Sequence, residues 1–310
     1  MTEYKRYLGS IQYEENQMKT FDIPCDAFLK KISLRLKGTA STHATNAPVL
    51  TYNNILGLVD RIDIRVNGKD TIKSVSYTNK HIIDTYHSGT KPELVRTSDL
   101  AGQTNVPFSA KATIDFDAGK IIKTYLPTRN LSSLQLLVTW SNPTKLATNT
   151  TDVMAQLDVT SVENSSKNPR LASGIFIENE IVQNVSAAGK QKISLPQGNF
   201  YKGIFLKAIN NGVPDNEFIE MFEVELGGML TIRSENFAQA RSDDKTEYSL
   251  DVLPDGCVMV DFPQPINTAK RAGITNFDLI VHTKSPTGVA NIQVVTQELI
   301  FKKKLLQKKK

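Results

Sequence analysis

This sequence has little of what reactive or secreted proteins are built from. Its 310 residues include two cysteines, four histidines and one tryptophan. Cys25 and Cys257 make no CxxC spacing. A pair so sparse is not a disulfide framework, and one bridge between them is neither supported nor excluded. The histidines are His43, His81, His87 and His282; His81 and His87 stand six apart around a predicted helix, a poor ligand spacing. No metal site and no cofactor are therefore expected. A G-x-S-x-G elbow and a Walker-type glycine loop are both missing. Met-Thr-Glu-Tyr-Lys-Arg is not a charged-then-apolar leader, so synthesis in a cytosol is expected. No apolar run approaches the roughly 18 to 20 residues of a spanning helix. Helical periodicity is nearly absent as well.

Excess charge of one sign is also missing from the body of the chain. The formal net charge is +5, from 37 lysines and arginines against 32 acids. Six of those lysines fall in the last ten residues, Phe301 to Lys310, which hold no acid. The remainder carries 31 basic against 32 acidic residues. Such a body lacks the basic face of a sequence-specific nucleic-acid binder. The tail has one specific physical reading. Phe301, Leu305 and Leu306 can dip into a bilayer interface while Lys302, Lys303, Lys304, Lys308, Lys309 and Lys310 reach lipid phosphates or an acidic partner; contact with the genome and a solvated tail that aids solubility are the other readings.

What the sequence does contain is a series of β-like segments that occurs twice, in the same order. Phe28–Arg35 corresponds to Phe200–Lys207. Ile64-Arg65-Val66-Asn67-Gly68 corresponds to Val224-Glu225-Leu226-Gly227-Gly228. Ile114-Asp115-Phe116 corresponds to Val260-Asp261-Phe262, Leu134/Leu136/Val138 to Phe277/Leu279/Val281, and Ala155–Val159 to Ala290–Val294. The offsets fall steadily, 172, 160, 146, 143 and 135, as expected for the same strands joined by shorter loops. Asp115 and Asp261 hold matching strand positions and are expected to face solvent.

Local signals place the elements. Residues 1–20 are polar and mixed in charge, and Tyr4, Leu8 and Ile11 permit a short amphipathic helix. Leu29, Ile32, Leu34 and Leu36 predict a strand that stops at Gly38, followed by a loop over 39–48. Ile62, Ile64 and Val66 alternate up to Asn67-Gly68, a type I′ hairpin signal. Thr78–Tyr86 predicts a helix, with Thr78 as its cap. Ala110–Phe116 and Leu134–Trp140 alternate, which puts Trp140 in the core or at a strand end. Residues 144–151 are expected as an exposed loop, and Glu163–Pro169 as a linker. In the second half, Ile175–Val182 and Lys190–Leu195 lead into the second copy, whose strands are predicted over 201–209, 217–226, 229–233, 246–253, 257–262, 276–283 and 289–301.

Many short strands at this spacing mean sandwiches or barrels. The predicted fold is all-β: two tandem eight-stranded jelly rolls, packed side by side, with few short helices. The expected division is an N-terminal arm at 1–20, a first jelly roll at 21–165, a linker and second jelly roll at 166–301, and a basic tail at 302–310.

The repeated strand pairs, and above all Leu58–Val75 with its central Asn67-Gly68, resemble the double jelly-roll major capsid proteins of tailless, membrane-containing icosahedral viruses, in the adenovirus and lipid-containing phage lineage, with a size similar to the coats of small Flavobacterium-type phages. The resemblance covers about 21–301 and is one of architecture, not of a signature motif. It implies a non-enzymatic coat protein of the virion. Three chains would form a homotrimer whose six jelly rolls make a pseudo-hexagon. The implied partners are neighbouring capsomers, minor capsid proteins and, through the basic tail, an internal viral membrane. A two-jelly-roll hydrolase and a lectin-like glycan-binding protein are the alternatives.

Overall fold

The computed structural model describes residues 3–95, 101–119, 123–165, 172–228, 230–268 and 276–301. They divide into two compact units. The first takes the described residues of 1–85 and 91–176 with Phe301, the second those of 86–90 and 177–300. Two-residue strands apart, the first copy contains β1 (Glu3–Gln12), β2 (Met18–Asp22), β3 (Phe28–Thr42), β4 (Val59–Val66), β5 (Asp70–Val75), α1 (Tyr77–Ser88), β6 (Val106–Asp115), β7 (Leu134–Trp140) and β8 (Thr150–Asn164). The second contains β9 (Gly174–Asn184), β10 (Gly189–Ser194), β11 (Phe200–Asn210), β12 (Ile219–Leu226), β13 (Leu230–Asn236), α2 (Phe237–Glu247), β14 (Cys257–Asn267), β15 (Phe277–Thr283) and β16 (Asn291–Phe301).

In the first copy the strands run β1-β8-β3-β6 in one sheet and β2-β7-β4-β5 in the other. In the second they run β9-β16-β11-β14 and β10-β15-β12-β13. Each strand thus returns eight strands later in the same place, and each copy is an eight-stranded jelly roll. Register makes the repeat residue-specific. Leu36 faces Leu157 as Ala208 faces Ile292. Ile64 faces Leu136 as Val224 faces Leu279. Ile32 faces Ile114 as Ile204 faces Val260. All five offsets legible in the sequence are recovered in these pairings.

Alternation builds the cores, because every second side chain of a strand points to one face. Ile62, Ile64, Val66, Leu134, Leu136 and Val138 are all buried, as expected. In the second copy, Ile204, Leu206, Val258, Val260, Ile292 and Val294 meet Phe222, Val224, Leu279 and Val281 in one cluster. Asn67 (φ 53°) and Gly68 (φ 73°) adopt the left-handed backbone that the hairpin requires.

Several local expectations are corrected. Residues 3–12 form a strand and not a helix, because β1 pairs along β8 from Glu3/Asn164 to Gln12/Gln156 and the sheet supplies partners that a lone short helix lacks. Its repeat mate is β9: Tyr13 N–H donates to Ala155 O as Val185 N–H donates to Ala290 O. The first jelly roll therefore begins before residue 21. Gly38 does not stop β3, which runs on to Thr42 through residues expected as loop. A Cβ at Gly38 would lie 2.2 Å from Met154 O, so glycine there permits close strand approach. Residues 144–151 are not all exposed, since Leu146 and Ala147 are buried. β8 runs through Asn164, so the expected linker overlaps a strand; residues 166–171 lie outside the described residues.

The largest correction is 246–253, expected as a strand. Residues 237–247 are α2, followed by a turn in which Ser249 has φ 53°. Tyr248 and Leu250 imitate a strand's alternation, but Asn236 caps a helix by accepting from the N–H groups of Ala238 (3.0 Å) and Gln239 (3.3 Å). In α1 the cap is Ser76, not Thr78: its Oγ accepts from Asn79 N–H at 3.3 Å.

The two helices do the same work. Beyond the short pairing of Leu94–Val95 with Ser109 and Ala110, the outer edges of β6 and β14 meet no further strand among the described residues, and buried backbone polar groups must be satisfied. Asp84 of α1 accepts the N–H of Thr113, and Asp244 of α2 accepts the N–H of Met259 at 2.8 Å. His81 Nδ1 donates to Lys111 O at 2.7 Å, and Arg241 Nη1 donates to Cys257 O at 2.8 Å. Each helix residue is 160 from its counterpart and each strand residue 146, the offsets already seen for β4/β12 and β6/β14. Tyr77 and Phe237, also 160 apart, are both fully buried. Burial, opposed by the Met259 N–H bond and assisted by Glu247, pushes the Asp244 carboxyl from its ordinary 3.8 up to about 7.

Two outcomes are expected. Leu136→Ala empties a fully buried site and should cost about 2 to 5 kcal/mol in urea unfolding. Asp244→Asn tests the clamp. Below about pH 4 the Asp244 carboxyl is protonated folded and unfolded; between about 4 and 7 only the unfolded chain releases the proton. Stability from this group therefore falls as pH rises through that window. Asn keeps an acceptor for Met259 without the buried charge. The variant should match wild type near pH 4 and exceed it at pH 8; urea midpoints across pH check this, and parallel curves would count against it.

Candidate interaction surfaces

The residue types that could host chemistry are dispersed. His43 sits in an exposed turn, where its ring nitrogen meets Thr45 N–H at 3.2 Å. His81 is buried and spent on Lys111 O. His282 Nε2 lies 3.4 Å from Glu223. His87 is an exposed residue of the last turn of α1. Among the described residues, no three His, Cys, Asp or Glu side chains are grouped as a metal would need. Both cysteines are free; burial pushes the Cys257 thiol up to about 12, which disfavours the reactive thiolate. Trp140 is buried at the end of β7, edge-on to Tyr13 at 5.4 Å, and is no glycan platform.

Asp115 and Asp261 do not simply face solvent as expected. Asp115 approaches the buried Lys80 of α1 at 3.9 Å, and Asp261 accepts from Tyr248 Oη–H at 2.6 Å. Both strand carboxylates are tied to the helix region of their own copy. The tail residues Lys302, Lys303, Lys304, Leu305, Leu306, Lys308, Lys309 and Lys310 lie outside the described residues; β16 ends at the half-buried Phe301.

The surface that sequence reasoning missed is the outer face of the β1-β8-β3-β6 sheet. Its signal was present: Lys31, Ser33, Arg35 and Lys37 are the alternate residues to Ile32, Leu34 and Leu36. An open depression there is lined by Ser33, Arg35, Thr113, Thr160 and Val162. Arg35 pairs with Glu93 at 2.7 Å, and with Ser109 it holds that carboxyl below its ordinary range. Lys37 pairs with Asp158 at 2.6 Å. Lys5, Lys31 and Lys111 border the depression and carry no ion pair among the described residues. Tyr7, 63% exposed, stands among them.

The same face of the second copy is closed. The counterparts of Ser33, Arg35, Thr113, Thr160 and Val162 are Phe205, Lys207, Met259, Val295 and Gln297, each at most 1% exposed. Tyr86, assigned to the second unit, stands edge-on to Phe205 at 6.3 Å and donates to Cys257 O at 3.0 Å. Equivalent faces of two equivalent folds thus differ in exposure.

No protein-family model matches this chain, and no curated protein matches it. Solved structures do. The major capsid protein of STIV superposes with a TM-score of 0.82 at 16% identity, over 97% of this chain and 98% of that one. A chain from the Sulfolobus Turreted Icosahedral Virus structure gives 0.80 at 15% identity, over 97% and 91%. The major capsid protein P2 from bacteriophage PM2 gives 0.61 at 12% identity, over 97% and 98%. Over 97% of its length, the chain shares the double jelly-roll fold of these capsid proteins.

Proposed function

We propose that this chain is a major capsid protein, a structural coat subunit of an icosahedral virion and not an enzyme. The observation that carries the reading is the complete duplication, two jelly rolls of one topology in one chain, matched over nearly its full length by the STIV coat protein. A closed shell of many copies needs a tile with near-sixfold packing. A homotrimer of a duplicated fold provides six similar blocks from three identical chains. In this reading the partners are neighbouring capsomers and minor capsid proteins. The basic tail reaches an internal viral membrane.

The geometry of the sequence favours the tail assignment. The body is close to neutral and six lysines follow Phe301. Each lysine near an anionic surface contributes about 1 kcal/mol, and many tails on one vesicle act together.

Light scattering is expected to give the mass of three 34.4 kDa chains, with a hexagonal outline by negative stain. A monomer at all concentrations overturns the coat reading. Truncation at Lys302 should leave that trimer intact and weaken flotation with anionic liposomes. Raised salt should mimic the truncation, because exposed charges are screened within about 8 Å at physiological ionic strength. Equal flotation of both proteins, or indifference to lipid charge, removes the membrane role.

A further inference from the structure

The open outer face of the first jelly roll has one well-defined difference from its closed counterpart. In the second unit, Tyr86 lies on the outer face beside Phe205 and donates to Cys257 O. Phe205, Lys207, Met259, Val295 and Gln297 are correspondingly sealed. In the first copy the equivalent residues are Ser33, Arg35, Thr113, Thr160 and Val162, and they line an open depression. No helix end among the described residues supplies a Tyr86 equivalent there. The 160-residue offset names the missing element: Tyr86 corresponds to Thr246, in the last turn of α2.

Around that last turn the exposed acids outnumber the one exposed base, Lys245. Asp243, Thr246 and Glu247 are exposed, and the turn that follows adds exposed Asp251 and Asp255. At its tip the apolar Val252 is 80% exposed. The open face offers the opposite character. Lys5, Lys31 and Lys111 lie around the half-apolar Tyr7 and carry no ion pair among the described residues. Asp243 accepts from Gln239 at 2.9 Å and Asp255 from Asn216 at 3.1 Å, but neither they nor the three lysines make an ion pair among the described residues, and charge complementarity of this kind sets register and partner choice.

We propose that the α2 end of one chain docks on the open β1-β8-β3-β6 face of a second copy. Asp243 and Glu247 come to lie against Lys31 and Lys111. This contact is heterologous, joining two different surfaces, so three copies close a ring when the rotation is one third of a turn. The inference rests on the capsomer reading and specifies its interface.

The test uses the full-length chain and sedimentation equilibrium at physiological salt. Lys31→Glu with Lys111→Glu, and separately Asp243→Lys with Glu247→Lys, should each weaken self-association at least about tenfold, by placing like charges across the contact. Thermal unfolding of both variants should stay near wild type, since Lys111, Asp243 and Glu247 are exposed and Lys31 is half-buried on the outer, polar side of its strand. The decisive arm is the quadruple variant with both faces reversed, which should recover association, because restored complementarity cannot repair a folding defect. A trimer unaffected by either pair of substitutions overturns the proposed interface and leaves the coat reading standing. A trimer that persists while the variants fail only to enter shells assigns the face to another protein, which also overturns it. A wild-type chain that never associates removes both.

Discussion

Antiparallel register is the constraint on which the rest of this molecule depends. A slip of one residue between β3 and its neighbours would turn Ile32, Leu34 and Leu36 to the outside and bring Lys31, Ser33 and Arg35 into the core. Burying such cations without partners is prohibitively costly, so the pairing Leu36/Leu157 and Ile32/Ile114 is strongly specified. The core, the polarity of the outer face and the correspondence between the copies all follow from that one alignment.

Register alone leaves strand edges unsolved. In each copy a short helix covers an edge with side chains standing in for a neighbouring strand. An aspartate accepts the backbone N–H, and a histidine or an arginine donates to the carbonyl two residues earlier. The conserved geometry with changed residue, His81 in one copy and Arg241 in the other, shows what the position requires: a donor of the right reach. The aspartates recur unchanged because the task needs a short acceptor on a helix face. The same device blunts an edge that could otherwise template pairing with another chain.

The strand cores keep their apolar character at Ile32/Ile204, Ile64/Val224, Leu136/Leu279 and Leu157/Ile292, whereas on the outer face Ser33, Arg35 and Thr160 correspond to Phe205, Lys207 and Val295. Packing limits what the interior accepts, and the outer faces are free to answer to whatever lies against them. The likeness to the STIV and PM2 coat proteins at 16% and 12% identity fits that pattern, since a fold held by alternation and register tolerates almost any sequence that preserves both.

Strand alternation, the Asn67-Gly68 turn and the five ordered matches were legible in the sequence, because a period of two and a turn's backbone demands are local properties. They determined the all-β class, the duplication, the pairing of equivalent residues and the core list from Ile62 to Val138. The lysine tail's composition was equally plain. Other features needed the tertiary structure. Residues 3–12 carry a weak helical spacing and become strand β1 only because β8 offers a row of partners. Tyr248 and Leu250 alternate like a strand, yet the cap at Asn236 and the edge of β14 make 237–247 a helix. Gly38 reads as a stop until Met154 O is seen beside it. That the lysine-lined face of the first copy is open and its counterpart closed could not be read from either strand, since alternation tells which side chains point outward and is silent about what, if anything, comes to cover them.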